Sequence, residues 1–425
     1  MRLLGTISLL IAMSATSVFG AAFVHGPYTG APSSDSVTVS WISEPPVAAR
    51  VEYGVRSENG DDQAFTDSIN VPPLEDNILV DTTHAVLSGL DPATRYAYRV
   101  VLIEELEEFS SPTGYFATEP NAGDSVSFAV LADTQQQLEG VNRLELVADA
   151  IAADPMDFDF ILHAGDVVES PSMMYWDHWF ASFDDMLLRA PMIPVLGNHE
   201  DNHDSYFDAF ELPPGAGKDN ERWWALHWAD LVVVGLDTNA NKANEIRQQQ
   251  AWAQQHLSGS ETHKFVIFHH PVFLSNSESG DTTYFYDALY HPIFVENRVD
   301  IVFNGHSHHY EHIVRDGVTY LVVGGGGAEL RETTPEDIQD SHVSVEDRYF
   351  YARVTTSPDG IAVETVSVAR EIGGTAVLTP DLLLDSFFLP TEPASETDQA
   401  TGAEPFQAII SAAALALIAF LGFHS

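Results

Sequence analysis

Residues 300–308 read Asp300-Ile301-Val302-Phe303-Asn304-Gly305-His306-Ser307-His308, an apolar strand running straight into a glycine turn that carries two histidines. The same grammar recurs upstream. Ser127 to Ala132 precedes Asp133, Phe158 to His163 precedes Gly165-Asp166, and Met192 to Leu196 precedes Gly197-Asn198-His199-Glu200. Lys264 to Phe268 precedes His269-His270. Between the strands, apolar residues such as Leu138, Val141, Leu144, Val147 and Ile151 recur at helical spacing. Nearly continuous apolar strands separated by helices describe a sheet covered on its faces. In such sheets the loops beyond the carboxyl ends of the strands converge on one crevice. Five strands therefore deliver ligand-type side chains to one place.

Carboxylate oxygen, amide oxygen and imidazole nitrogen suit borderline divalent metals. The chain has no cysteine, which excludes disulfides, thiolate zinc sites, iron–sulfur clusters and cysteine nucleophiles. The convergent ligands are more than one ion needs, and they suit two ions about 3.5–4 Å apart that share a carboxylate. Such a pair acidifies a bound water and clamps the oxyanion of an in-line attack at phosphorus. Taken singly, His269 after an apolar strand also reads as a satisfied core histidine. The whole set of Asp133, Asp166, Asn198, His269, His306 and His308 reads as a binuclear metal centre.

This series resembles the calcineurin-like metallophosphoesterase superfamily and, within it, the purple acid phosphatases. Gly305-His306-Ser307-His308-His309-Tyr310-Glu311 is similar to the family's GHxHxYE run, and Trp252 and Leu257 lie in a stretch similar to its QxxWL segment. The resemblance covers about residues 24–370. It implies that Asp133 and His308 bind a first metal, that Asp166 bridges, and that Asn198, His269 and His306 bind a second. It implies a metal-bound hydroxide as the attacking group, His199 as the catalytic residue beside the phosphoryl group, and Glu200 as the residue that orients His199. His269 matches the family ligand placed two residues before a proline, here Pro271, which leaves His270 to line the pocket. The implied ions are iron, zinc or manganese. Two positions depart from the pattern. The superfamily's DxH is here Asp133-Thr134-Gln135, and the GDxxY of the purple enzymes is here Gly165-Asp166-Val167-Val168-Glu169. Gln135 is open between a metal ligand and a loop hydrogen bonder, and Glu169 between a ligand and an acceptor behind the ligands.

Outward from this catalytic segment, residues 124–370, the pattern changes. From 24 to 118 Val37, Val39 and Trp41, then Tyr96, Tyr98 and Val100, alternate with a period of two, which predicts a β-sandwich. Leu90, Pro92, Thr94 and Tyr96 resemble the corner of a fibronectin type III domain, where a tyrosine hydroxyl pins the turn. The expected fold class is thus α+β multidomain, a fibronectin III-like N-terminal sandwich followed by a four-layer α/β/β/α metallophosphoesterase domain. Residues 371–405 read as a C-terminal extension and linker. Residues 1–20 read as a signal peptide, with Arg2 before the apolar Leu3 to Met13 and small residues before Ala21. The apolar run 406–423 is long enough for a membrane helix and also suits a lipid-anchor signal. The expected setting is secreted or cell-surface, with the membrane as a partner through this C-terminal tail.

Sixty-three acidic side chains against 18 basic ones give a net charge of −45. That balance excludes a nucleic-acid partner and suits a saline, extracellular medium. Gly324 to Gly327 follows the strand Thr319 to Val323 without a helix pattern or Lys-Ser/Thr after it. It reads as close backbone approach near the site, not as a phosphate cradle. Trp223, Trp224 and Trp228 read as core or interdomain packing, Glu104 to Glu108 as a solvated loop or strand edge, and His309 and His312 as pocket wall or surface. Specificity is expected from the segments 201–222 and 274–292. The expected activity is hydrolysis of phosphorylated small molecules, phosphomonoesters first. A phosphodiesterase or nucleotide hydrolase is the rival within the class, and an inactive surface-binding protein the rival outside it.

Overall fold

The computed structural model of the chain describes residues 21–57, 64–74, 82–138, 142–240, 242–275, 283–332 and 341–391. The signal-like segment 1–20, the linker beyond Thr391 and the apolar run 406–423 lie outside the described residues. Among the described residues, no helix is long and apolar enough to cross a membrane.

Alternation builds the first unit. Val39 and Trp41 on the strand Ser36–Glu44, Val51 on Ala48–Val55, and Tyr98, Val100 and Leu102 on Arg95–Glu104 turn toward one core. A three-stranded sheet of Ala22–Gly30, Ser36–Glu44 and Thr83–Ser88 faces a second sheet ordered Asp67–Val71, Ala48–Val55, Arg95–Glu104 and Glu107–Ser110. Gly114–Ala117 also pairs with Arg95–Glu104. The Asp91 N–H donates to the Tyr96 hydroxyl at 2.9 Å, pinning the corner that the sequence marks. Glu104 to Glu108 spans the hairpin between two strands, with Leu106 wholly exposed. The sandwich leans on the helix Met173–Leu187 through His25, whose Nε2 meets Asp177 at 2.7 Å.

From residue 126 two mixed sheets stack face to face. One is ordered Met192–Pro194, Phe160–His163, Val126–Leu131, Arg348–Ser357, Gly360–Ile372 and Thr375–Pro390. The other is ordered Gly215–Ala216, Trp223–Trp228, Leu231–Gly235, His263–Ile267, Ile301–Asn304, Val318–Val323, Tyr310–Arg315 and Ser341–Val345. Phe128 and Phe160 from the first sheet meet Phe265 and Phe303 from the second, the Phe128 ring standing edge-on to Phe265 at 5.4 Å. Helices Arg143–Ala152 and Met173–Leu187 cover one outer face, and Ala243–Leu257 and Thr283–Glu296 the other. The result is the four-layer α/β/β/α arrangement. Trp223, Trp224 and Trp228 are buried in it.

This topology positions the site. The parallel strands Val126–Leu131, Phe160–His163 and Met192–Pro194 end just before Asp133, Asp166 and Asn198. In the second sheet the parallel strands His263–Ile267 and Ile301–Asn304 end just before His269 and His306. The crevice therefore straddles the carboxyl ends of both sheets.

Three expectations are corrected. The helical pattern read from Leu138 starts too early, because Leu138 is 38 % exposed and the helix begins at Arg143. Asn142 is the N-cap that sets this start, its side chain accepting from the Glu145 N–H. The unit that begins at residue 126 does not end at 370. The strand Gly360–Ile372 passes that point, and Gly373-Gly374, at φ +58° and +78°, turns the chain into a further antiparallel strand, Thr375–Pro390. Positive φ at both turn positions suits a two-residue hairpin and favours glycine. Finally, His309 and His312 are neither pocket wall nor surface. His309 Nε2 lies 3.3 Å from Glu311 Oε2, His312 Nδ1 lies 2.8 Å from Asp385 Oδ2, and both rings are buried.

Loss of the Phe128 ring opens the contact between the sheets, whereas loss of the Tyr96 hydroxyl removes one hydrogen bond. Phe128→Ala is expected to cost about 3–5 kcal/mol and Tyr96→Phe about 1 kcal/mol. The shift in urea midpoint of each variant measures the difference.

Candidate metal centre

Three of the ligand-type positions adopt left-handed backbone conformations. Asp133 has φ +59°, Asp166 φ +55° and His306 φ +68°. Such conformations carry strain in non-glycine residues and persist where surrounding structure over-determines them. Here each turns a side chain back over the end of its strand. Neighbouring glycines allow the close approach. A Cβ on Gly197 would lie 2.1 Å from the Asp166 carboxylate, and one on Gly324 would lie 2.9 Å from Asp133 Oδ2.

At the base of the crevice Asp133, Asp166 and His269 are buried and close enough to share a cation. Both Asp133 oxygens accept the His306 N–H at 2.9 Å. Asp166 Oδ1 accepts the His199 N–H at 2.9 Å, and its Oδ2 lies 3.1 Å from His269 Nε2. Toward solvent, Asn198 Oδ1 lies 3.1 Å from His269 Nε2 and 2.9 Å from His306 Nδ1. Those two ring nitrogens are 3.3 Å apart. On the other side His308 Nε2 lies 3.6 Å from Asp133 Oδ1. All six residues of the expected ligand set thus meet in one place. His270 joins them more closely than a pocket wall would, because it forms a second ligand-distance cluster with His269 and His306.

Backbone carbonyls fix the rings. His269 Nδ1 lies 2.9 Å from Ala164 O and His308 Nδ1 lies 2.6 Å from Glu329 O, which leaves each Nε2 for the crevice. His270 Nδ1 meets the Thr238 hydroxyl at 2.8 Å. His199 Nδ1 meets Glu169 O at 2.7 Å, and its Nε2 faces Asp166 Oδ2 at 3.8 Å.

Glu200 does not orient His199. Its carboxylate is buried and accepts four backbone N–H groups, those of Asp166, Val167, Val168 and Gly197, at 2.7–3.1 Å. It ties the Asp166 loop to the Gly197 loop. Glu169 does not point at the metal cluster either. Its carboxylate accepts from Gln137 Nε2 at 2.6 Å, and what it offers the site is its main-chain carbonyl. Gln135 does reach the centre. Its Nε2 donates to Asp166 Oδ2 at 3.2 Å and lies 3.1 Å from His308 Nε2, while its buried Oε1 has no hydrogen-bond partner. A half-turn of the amide exchanges the two atoms and aims the orphan oxygen into the same gap.

The electrostatics follow from burial. Asp133 is pushed up to about 7 by loss of solvent, with the Asp166 charge adding to the shift. Burial acts in the same direction on Asp166, but the His269 ring beside it outweighs that and holds Asp166 well below the usual carboxylate range. His269 is raised to about 9 because the Asp166 carboxylate overrides burial. His308 is lowered to about 3 by burial and by the Arg331 guanidinium. Carboxylate, amide and imidazole donors, with an orphaned amide oxygen among them, suit divalent or trivalent cations with oxygen and nitrogen ligation.

A family model described as calcineurin-like phosphoesterase matches residues 126–310, and one described as the purple acid phosphatase N-terminal domain matches residues 23–118. The chain is a purple acid phosphatase-like member of the calcineurin-like phosphoesterases. Its relatives include a purple acid phosphatase from Glycine max, 24 % identical over 316 residues, which cover 68 % of this chain and 65 % of that protein. A phosphoenolpyruvate phosphatase from Allium cepa is 22 % identical over 320 residues, covering 71 % of this chain and 64 % of that one. The chain thus spans just under two thirds of the length of both. The structure of purple acid phosphatase PPD1 from seeds of Lupinus luteus shares the fold, with a TM-score of 0.66 at 17 % identity over 86 % of this chain and 74 % of that one.

Two measurements on this purple acid phosphatase-like chain follow. A cation must displace the protons that Asp133 keeps up to about 7 and His269 up to about 9. Affinity for zinc or manganese is therefore expected to rise roughly tenfold or more between about pH 6 and about pH 9, with proton release seen by calorimetry. With Glu169 in place of the family tyrosine and turned to Gln137, the iron-loaded protein is expected to be colourless. A tyrosinate charge-transfer band in its visible spectrum would contradict this.

Proposed function

We propose that the protein hydrolyses phosphomonoesters at a binuclear metal centre. The observation that carries this reading is the meeting of Asn198 Oδ1, His269 Nε2 and His306 Nδ1 within 3.3 Å of one another beside the buried Asp133 and Asp166. In this reading Asp133 and His308 would hold one ion, Asn198, His269 and His306 would hold the other, and Asp166 would serve both. The orphaned Gln135 Oε1 supports a place for it beside Asp133 and His308. When bound, the ions supply positive charge to the phosphoryl oxygens and acidify water.

The chain's own groups do the rest. His199 is fixed by the Glu169 carbonyl so that Nε2 faces the crevice, and the Asp166 carboxylate raises its proton affinity against the effect of burial. A protonated ring donates from Nε2 to the phosphoryl group or to the departing oxygen. Glu200 holds the two loops that carry Asp166 and Asn198 at a fixed separation. Iron, zinc or manganese suit this donor set, and the signal-like segment 1–20 supports an exported protein.

The test is turnover of 4-nitrophenyl phosphate and bis(4-nitrophenyl) phosphate by protein loaded with each metal, alongside elemental analysis. Two metals per chain and faster monoester turnover are expected. Faster diester turnover would move the reading to a phosphodiesterase, and no turnover with any metal would end it. His199→Gln is expected to lower kcat by about 10²–10⁴-fold while metal content stays at two. Asn198→Ala is expected to lose both metal and activity with an unchanged circular dichroism spectrum.

A further inference from the structure

Arg331 stands beside the histidine turn of the crevice, and the hydrolytic scheme gives it no part. It follows the glycine run and the segment Ala328 to Leu330, and it is pinned to the histidine turn at two points. Its backbone N–H donates to His308 O at 3.1 Å, and its Nη1 donates to His306 O at 3.3 Å. The side chain is half-buried. Its charge reaches both His308 and Asp133, helping to hold the first below the ordinary histidine range.

A guanidinium has five N–H donors in a planar fork. The His306 carbonyl takes one, and no carboxylate lies within ion-pair distance of Arg331 among the described residues. Arg50, Arg56, Arg95, Arg99, Arg222, Arg348, Arg353 and Arg370 each pair with a carboxylate. Other guanidiniums that lack a carboxylate are taken up otherwise, Arg189 by the main-chain carbonyls of Ala152, Asp154 and Met156 and Arg143 over the Tyr349 ring. In a protein with 63 acidic side chains, a guanidinium beside the candidate site keeps most of its donors unclaimed. A fork held in place by its backbone matches an oxyanion two bonds at a time, and less side-chain freedom is lost on binding than for a free arginine.

We propose that Arg331 binds a second oxyanion of the substrate, a carboxylate or phosphate group near the phosphoryl group under attack. Preferred substrates are therefore phosphate compounds carrying an additional negative group. This inference rests on the phosphatase reading above and narrows its substrate class.

The test compares kcat/KM of the metal-loaded chain and its Arg331→Ala and Arg331→Lys variants at equal metal content. Three substrates serve: 4-nitrophenyl phosphate, phosphoenolpyruvate with a carboxylate as second group, and ADP with a second phosphate. Loss of a charged hydrogen-bonded contact predicts a fall of about 10- to 150-fold with Arg331→Ala on one or both of the last two, mainly through KM. That fall is expected to exceed the fall on 4-nitrophenyl phosphate at least tenfold. Arg331→Lys is expected to lie between, since it keeps the charge without the fork. A fall on phosphoenolpyruvate alone assigns a carboxylate, on ADP alone a phosphate, and each outcome supports the inference. Equal falls on all three substrates, no fall on any, or a wild-type chain that cleaves only 4-nitrophenyl phosphate would overturn it. A wild-type chain that cleaves none of the three ends the phosphatase reading itself.

Discussion

Two carboxylates buried side by side are the constraint around which the catalytic unit is arranged. Asp133 and Asp166 are 0 % and 1 % exposed, and each raises the cost of ionising the other. Buried charge is tolerated only where hydrogen bonds and opposite charge meet it. Backbone N–H groups of His306 and His199 and the ring of His269 supply the answer here, and each comes from a different strand end. The left-handed turns at Asp133, Asp166 and His306 are the local expense of aiming those groups inward. Glu200, a third buried carboxylate, has no ion-pair partner among the described residues, and its hydrogen bonds come from four main-chain donors.

The part of this arrangement that the sequence reveals is the part written in strand periodicity. Each of the five ligand-bearing turns follows an apolar run, and parallel strands in covered sheets leave no other reading for those runs. The six expected ligands are therefore found together. What the sequence hides is whatever depends on a main-chain partner. The carbonyls of Ala164, Glu169 and Glu329 orient three histidines, yet any residue type could supply a carbonyl. Glu200 follows His199 directly, so proximity in sequence suggests a pairing that the buried loop amides override. The Gly373-Gly374 hairpin is visible as a dipeptide, but Pro380 and Asp381 interrupt the strand pattern after it and disguise the last element of the sheet. Arg331 has no motif around it, and only its place against the histidine turn, with no carboxylate paired to it among the described residues, draws notice.

The charge of −45 belongs to the surface and not to the crevice. Among the described residues, Asp133 and Asp166 alone contribute carboxylates to the clustered ligands, against His269, His270 and His306 around them. Bound cations are the largest charges in such a site and set its local sign. With cations bound, the crevice would be locally positive on an anionic body, which is compatible with an anionic ligand.

The last strand has a consequence for how the two sheets share the site. Asp385 on Thr375–Pro390 belongs to the six-stranded sheet, yet it accepts from the Tyr310 hydroxyl at 2.8 Å and meets His312, both on the eight-stranded sheet. Tyr310 lies two residues beyond His308. Asp385 thus acts as a clasp, joining the layers just behind the histidine turn. During synthesis that clasp emerges some 75 residues after Tyr310, so the histidine turn gains this support only once the strand Thr375–Pro390 is available.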